Sequence, residues 1–123
     1  MTITLYGIKN CDTMKKARSW LDTRGVKYDF HDYRTAGIDR ERLERWCEAL
    51  GWETVLNRAG TTFRNLPEAG RTDLNTRKAV ALMLAQPAMI KRPILDLGGP
   101  DRDGSLFAGF KPEIYEAAMR SES

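Results

Sequence analysis

A strand signal, a cysteine and an amphipathic helix follow one another at the start of the chain, and this order limits the folds that it can adopt. Residues 3–6 are rich in β-formers and are closed by a glycine. After Cys11, Asp12 and Thr13 are predicted to cap a helix that ends at Gly25. The apolar residues of that helix recur at helical spacing: Met14, Ala17 and Leu21. The cysteine therefore stands at a predicted strand-to-helix turn.

A second strand and a helical middle come next. Apolar and polar residues alternate from 26 to 33, which is typical of a strand with one buried face. Asp39 is predicted to cap a helix that ends at Gly51. Its apolar stripe consists of Leu43, Trp46, Cys47 and Leu50. A short turn is expected over 52–56, a loop over 57–70 and a further helix over about 73–86. The predicted apolar face of this last helix contains Leu74, Ala81, Leu82 and Ala85.

The last third of the chain predicts a β-hairpin and a closing helix. Strand signals over 93–97 and 105–110 flank a turn over 98–104, and Pro112 suits the first turn of a helix. The apolar residues of that helix are Ile114, Tyr115, Ala118 and Met119. The order β-α-β, helices, β-β-α predicts an α/β protein with a mixed four-stranded sheet. In such a sheet the turn that holds Cys11 lies where ligands and anions bind.

Composition narrows the possible functions. The 123 residues suit one domain, and 41% hydrophobic with 30% charged residues is typical of a globular protein. The net charge of +3 has no long basic block, which disfavours nucleic acid and suits small anions such as oxyanions or glutathione. No apolar run approaches membrane-spanning length, and the start lacks a secretory signal pattern. We expect a cytoplasmic monomer that binds neither nucleic acid nor membranes.

Cys11 is the candidate nucleophile. The thiolate is the reactive form of cysteine, and an ordinary thiol is mostly protonated at neutral pH. Unpaired backbone N–H groups and the dipole at a helix N-terminus favour the anion. Lysines at 9, 15 and 16 add positive charge, while Asp12 opposes it. We therefore expect a lowered pKa. A small buried apolar residue is the alternative use of a free cysteine, but a turn is a poor place for a core residue.

Cys11 has no neighbouring thiol. A dithiol motif would have a second cysteine at position 14, where Met14 stands, so another thiol must resolve any intermediate. Cys47 shares the apolar stripe of its helix and is interpreted as a core thiol, since a resolving role would require disulfide reach of Cys11. His31 lies on the polar side of its strand and is expected at the surface or sheet edge rather than as a general base. The two distant cysteines and the single histidine do not have the spacing of metal ligands, so no bound metal or cofactor is expected.

Several separated motifs resemble those of one family. They are LYGIKNCDTMKKA at 5–17, HDYR at 31–34, LGW at 50–52, LNRAGTTFR at 56–64 and IKRPI at 90–94. Together they resemble the ArsC-like family, which holds the glutaredoxin-coupled arsenate reductases and the Spx regulators. The closest resemblance is to the YffB-like branch. It implies a single domain with a thioredoxin-like fold, made of residues 1–36 and 88–120, and a helical insertion at about 37–87.

The resemblance also implies which residues form the site. Cys11 matches the family's nucleophile. Arg58 and Arg92 match two of the three basic residues that hold the oxyanion in the arsenate reductases. Lys111 stands where those enzymes have a third arginine, and lysine keeps the charge but lacks the planar fork that grips an oxyanion. Pro93 matches a proline that is usually cis and faces the cysteine, and the Arg92 carbonyl is expected to orient a bound thiol peptide. The predicted glutathione contacts are Asn10, Thr13 and Pro93.

Three functions are carried forward. The first is a glutathione-dependent thiol-disulfide reductase in which glutathione is a co-substrate rather than a bound cofactor. The second is an arsenate reductase coupled to glutaredoxin, which requires tight oxyanion binding. The third is a Spx-like regulator that binds RNA polymerase. Spx-type redox switches typically carry a second cysteine three residues after the first, so Met14 disfavours that switch without excluding polymerase binding.

Overall fold

The computed structural model describes residues 3–9, 11–97 and 106–122. Its contacts divide the chain into two compact units. The first unit consists of Met1–Asp32 and Arg92–Ser123, and the second of Tyr33–Lys91. In the described part of the chain, no helix combines the length and the hydropathy that crossing a bilayer would require.

The first unit contains a mixed four-stranded sheet. Its strands are β1 (Thr4–Gly7), β2 (Asp29–Asp32), β3 (Ile94–Asp96) and β4 (Leu106–Ala108). Their order across the sheet is β2-β1-β3-β4, in which β1 pairs with β2 in parallel and the other neighbours are antiparallel. Helix α1 (Asp12–Thr23) connects β1 to β2, and α8 (Pro112–Glu122) follows β4. The predicted α/β fold class is confirmed.

One row of side chains across the sheet forms the core of this unit. The register aligns Phe30, Leu5, Leu95 and Phe107 on four adjacent strands. Alternate residues of a strand point to the same face, so these side chains share one face of the sheet. They pack with the buried residues of α1 and α8, which are Met14, Ala17, Leu21, Tyr115 and Ala118. The two helices therefore cover the face of the sheet on which the row lies.

Helix α1 ends as its sequence predicts. Gly25 has a φ of +69°, the left-handed conformation that glycine adopts without steric cost. Its N–H donates to the Asp22 carbonyl at 3.1 Å, and the Val26 N–H donates to the Leu21 carbonyl at 3.0 Å. This pair of bonds is a Schellman motif, which satisfies carbonyls that the helix end leaves free.

The second unit is helical. It contains α2 (Tyr33–Ala36), α3 (Arg40–Leu50), α4 (Trp52–Val55), α5 (Thr61–Arg64), α6 (Glu68–Arg71), α7 (Thr76–Ala85) and a 3₁₀ turn (Pro87–Met89). The Asp39 carboxylate caps α3 by accepting from the Arg42 N–H at 2.8 Å, as predicted. The Tyr33 hydroxyl donates to the Lys91 carbonyl at 3.5 Å, which joins the first and last residues of this unit.

Several predictions for local structure are wrong. The stretch 57–70 contains the short helices α5 and α6 rather than a continuous loop, and β2 is four residues long because Tyr33 already begins α2. Helix α7 begins after Asn75, whose side chain accepts from the Lys78 N–H at 2.9 Å. Its buried residues are Ala79, Val80 and Met83, whereas the predicted Ala81 and Ala85 are exposed and Leu74 and Leu82 only partly buried. In α8, Ile114 is 42% exposed, although the sequence pattern places it on the apolar face.

The predicted hairpin is confirmed by the antiparallel pairing of β3 with β4. Its strands are shorter than predicted, three residues each. The predicted turn at 98–104 lies outside the described residues.

Candidate active site

Cys11 is the N-cap residue of α1. Its φ of −111° and ψ of 133° are extended, and its carbonyl accepts the first helical bond from the Lys15 N–H at 3.0 Å. The predicted caps, Asp12 and Thr13, are instead the first two residues inside the helix. The N-cap side chain is the group that approaches the free N–H groups of the first turn, so this position aims the sulfur at them.

The surroundings of Cys11 lower its pKa. Partial burial raises the pKa of the thiol, but three groups outweigh it by stabilising the thiolate. The backbone N–H groups of Met14 and Thr13 act first, followed by the positive charge of Arg92 and a hydrogen bond from its side chain. The two N–H groups lie near the sulfur without forming a full capping hydrogen bond. The pKa of Cys11 is therefore lowered both by the backbone of the first helical turn and by the side chain of Arg92.

Arg92 and Pro93 precede β3. The Arg92–Pro93 peptide bond is cis, as the resemblance implies. The Pro93 side chain is buried, and its carbonyl accepts from the Gly109 N–H of the segment after β4 at 2.8 Å. Arg92 is partly buried and interacts with Cys11. The structure thus brings Cys11, Thr13 and Arg92 together.

Asp32 stabilises the turn that carries the cysteine. Because β1 and β2 are parallel, Gly7 and Asp32 end their strands at the same edge of the sheet. The Asp32 carboxylate accepts from the Lys9 N–H at 3.2 Å, two residues before Cys11. Asp32 belongs to the HDYR motif, but this role was not predicted from the sequence. The parallel pairing of two predicted strands was the available signal.

Gly7 has a packing role in the same turn. A Cβ atom added to Gly7 would overlap the sulfur of Met14 and lie 2.6 Å from its Cε. Met14 is fully buried, and its backbone N–H is one of the groups that lower the pKa of Cys11. Gly7 is the last residue of β1, whereas the sequence predicts that the strand ends before it. Because Gly7 has no side chain, it leaves the space that Met14 fills.

The other predicted site residues are distributed differently. Lys111 is exposed in the first unit, and its carbonyl accepts from the Ile114 and Tyr115 N–H groups at the start of α8. Arg58 is exposed in the second unit, with its guanidinium 5.4 Å from the ring centre of Trp52. Their roles towards an oxyanion stay predictions. Asn10 lies outside the described residues.

The surroundings of Cys47 and His31 indicate structural roles rather than catalytic ones. Cys47 is buried, and burial followed by the charges of Glu44 and Glu53 raises its pKa to about 11. It is therefore a poor nucleophile at neutral pH. The His31 ring contacts the Tyr6 ring, with their centres 4.9 Å apart. Among the described residues, no group of three or more His, Cys, Asp or Glu side chains is placed to hold a metal ion.

This fold and this turn define a class of protein. The class is that of the thioredoxin-like thiol proteins. Here the cysteine lies at the turn between the first strand and the first helix, and the cis-proline belongs to the same compact unit. The model of the ArsC family matches residues 6–118. The chain belongs to the ArsC family, and this membership supports a thiol oxidoreductase of the arsenate reductase-like kind.

Individual relatives agree with the family. The solved structure of the YFFB (PA3664) protein has a TM-score of 0.89 and 64% identity, and the match covers 95% of this chain and 98% of that chain. The structure of an arsenate reductase (ArsC) related protein from Brucella melitensis has a TM-score of 0.73 and 55% identity, with 98% and 96% coverage. The global transcriptional regulator Spx of Streptococcus mutans is 24% identical over 95 residues, which are 76% of this chain and 69% of that protein.

Proposed function

We propose that the protein is a glutathione-dependent thiol-disulfide reductase with Cys11 as its only nucleophile. The observation that carries this proposal is the position of the sulfur. It lies at the N-cap of α1, where two backbone N–H groups and Arg92 lower its pKa. A thiolate held in this way attacks a disulfide readily at pH values where an ordinary thiol is mostly protonated.

The reaction requires three thiol exchanges. The Cys11 thiolate attacks a substrate disulfide, forms a mixed disulfide with one half and releases the other half as a thiolate that takes up a proton. A glutathione thiolate then replaces the bound half on Cys11. A second glutathione thiolate attacks this adduct, forms oxidised glutathione and restores the Cys11 thiolate. Two glutathione molecules supply the two electrons, and the substrate leaves as two thiols.

External thiols are needed because the chain offers no suitable second cysteine. Position 14 is a methionine, and the Cys47 thiol is buried with its pKa raised to about 11. Cys11 is only partly buried, which supports attack on its disulfides by a small external thiol. We infer that Thr13, Pro93 and Asn10 contact the glutathione backbone, and that Arg92 and Arg58 bind negative groups of the substrate. Such exchange requires a reducing compartment such as the cytoplasm.

Turnover with a small disulfide tests this proposal. The protein is incubated with β-hydroxyethyl disulfide and glutathione, and oxidised glutathione is measured through NADPH consumption by glutathione reductase. Cys11→Ser is expected to abolish the protein-dependent rate, while the matched control Cys47→Ser keeps it. Mass spectrometry is expected to detect one glutathionyl group on the wild type and on Cys47→Ser, and none on Cys11→Ser.

Two results would overturn the proposal. One is a turnover rate that does not rise with glutathione concentration, although Cys11 is alkylated rapidly at pH 7. The other is a pH profile of iodoacetamide alkylation that coincides with that of a free thiol. The first would reject glutathione as the reductant, and the second would reject the activated cysteine.

Arsenate reduction coupled to glutaredoxin is the second candidate. The 55% identity to an arsenate reductase (ArsC) related protein favours it. Lys111 counts against it, because lysine cannot grip an oxyanion through two parallel bonds as arginine does. An assay with arsenate, glutathione and glutaredoxin separates the two reactions. Arsenate turnover that increases in Lys111→Arg would support this candidate, and no turnover above background in either protein would reject it.

Binding of RNA polymerase is the third candidate, and the similarity to Spx is the observation that favours it. A pull-down of purified RNA polymerase with the tagged protein tests it under reducing and oxidising conditions. Absence of polymerase under both conditions would reject this function.

A further inference from the structure

A cleft opens along one side of α1. Its volume is about 650 Å³, and it lies between α1 and the segment that leads into α8. Its lining includes Lys15, Lys16, Ser19, Trp20, Arg24 and Phe110. All these residues belong to the first unit.

The apolar part of the cleft is built on a buried tyrosine. The rings of Trp20 and Phe110 both meet the Tyr115 ring edge-on, with centres 5.8 Å and 4.9 Å away. Tyr115 is fully buried, and its hydroxyl donates to the Gly109 carbonyl at 3.2 Å. Edge-to-face packing and this hydrogen bond fix the tyrosine. The two cleft aromatics therefore rest on a rigid support.

The rim of the cleft is positively charged. Arg24 stacks on Trp20 at 4.2 Å and lies 4.0 Å from the Glu116 carboxylate, so a partner for its charge is already present. Lys15 and Lys16 are exposed, and neither ammonium group has a carboxylate partner among the described residues. Two unpaired cations beside an aromatic surface complement a ligand that is both acidic and apolar.

The shape of the cleft favours a peptide segment over a small molecule. A pocket that holds a small molecule buries most of the ligand's surface. This cleft is wide open to solvent, so a small ligand would keep much of its surface in water. A segment of a folded protein gains further contact from the surface around the cleft. Aromatic residues and arginine are also the residue types that concentrate binding energy at protein interfaces.

We propose that this cleft docks an acidic segment of a partner protein through one aromatic or aliphatic side chain. The apolar side chain packs against Trp20 and Phe110, and the flanking carboxylates pair with Lys15 and Lys16. Trp20 lies about 14 Å along the helix axis from Cys11, at ~1.5 Å per residue. A docked partner is therefore held on the same helix as the reactive cysteine, yet docking itself does not require the thiol.

A titration followed by ¹⁵N nuclear magnetic resonance tests this surface. The probe is an acetylated and amidated EEFEE peptide, compared with KKFKK and EEGEE. The EEFEE peptide is expected to shift the backbone amides of Lys15, Lys16 and Ser19 and the indole N–H of Trp20. KKFKK is expected to leave them in place, and EEGEE to bind at least about tenfold more weakly because it lacks the apolar side chain.

Charge-reversal variants give a matched control. Lys15→Glu/Lys16→Glu and Lys27→Glu/Arg77→Glu change the net charge equally, and all four side chains are exposed. Only the first pair is expected to weaken EEFEE binding, by about tenfold at low salt. Cys11→Ser is expected to bind EEFEE like the wild type, so loss of thiol-exchange activity and loss of docking are distinguishable.

Three results would overturn the proposal. EEFEE shifts none of the cleft residues, or both double variants weaken binding equally, which would indicate a general charge effect. N-acetylphenylalanine, a small aromatic carboxylate, binds as tightly as the peptide, which would make the cleft a small-molecule site.

Discussion

Gly7→Ala tests how the strand before the cysteine and the helix after it fit together. The φ of Gly7 is not in the left-handed region, so alanine meets no backbone penalty there. The added Cβ would overlap the Met14 sulfur, and lie 2.6 Å from Cε and 3.2 Å from Cγ. Met14 is fully buried, so it has no open space into which to move.

The expected cost follows from this overlap. Overpacking of a filled core typically costs ~1–3 kcal/mol of unfolding free energy. Gly70→Ala is the matched control, because the nearest atom to its added Cβ is the Leu66 Cβ at 3.9 Å. Gly70 lies in helix α6, where the same substitution is expected to be neutral or to stabilise by up to ~1 kcal/mol.

A double-mutant cycle measured by urea unfolding isolates the contact. Met14→Ala alone is expected to cost ~2–5 kcal/mol through the cavity that it leaves. In that background the overlapping atoms are gone, so Gly7→Ala should cost almost nothing. The coupling between the two positions should therefore be ~1–3 kcal/mol. The same samples report on the site, because displacement of the Met14 N–H should move alkylation of Cys11 to higher pH.

Additivity would refute this reasoning. If Gly7→Ala costs the same with and without the Met14 side chain, the two residues do not compete for space. An equal cost for Gly70→Ala would point to a general effect of replacing glycine.

Other predictions concern the thiols and their turn. Arg92→Met should raise the pKa of Cys11 and move its alkylation profile to higher pH, with Arg92→Lys between the two; superimposed profiles would contradict this. Because the pKa of Cys11 is lowered in the folded state, its thiolate stabilises the fold above the ordinary thiol pKa, and that contribution disappears as pH falls through the folded value. The stability advantage over Cys11→Ser should therefore grow as pH rises towards the ordinary thiol pKa in urea titrations, and a constant difference would count against it. Asp32→Ala should lower the free energy of unfolding by ~1 kcal/mol and speed hydrogen exchange of the Lys9 amide, because the acceptor of its hydrogen bond is lost. Asp32→Asn keeps an acceptor and is the control, and unchanged exchange in Asp32→Ala would contradict this hydrogen bond. Cys47, with a pKa of about 11, should resist iodoacetamide at pH 8 in the folded protein and react in urea, and rapid reaction without urea would disprove its burial.

The predictions that succeeded used local signals. Asp39 and the glycines at 25 and 51 mark helix ends by their own backbone and side-chain chemistry, and the structure has those ends. The β-α-β and β-β-α order needs only the periods of the apolar residues, because strands and helices repeat differently. The turn at Cys11 follows from the same two periods.

The predictions that failed needed information about neighbours. Alanine and leucine occur all round α7, so its sequence allows more than one buried face, and packing selects Ala79, Val80 and Met83. Ile114 is apolar and correctly spaced, yet it faces solvent because Tyr115 and Ala118 fill the core position. The short helices within 57–70 have weak local signals because each has only four residues.

The sequence by itself determined the order of the elements, the turn that holds Cys11 and the lack of a second thiol beside it, because these depend on residue type and spacing. Only the tertiary structure decided what surrounds the sulfur. Arg92 is 81 positions away along the chain and reaches Cys11 because β3 pairs with β1. The bond from Asp32 to the Lys9 amide and the space beside Gly7 likewise depend on how strands and helix pack, which no local pattern encodes.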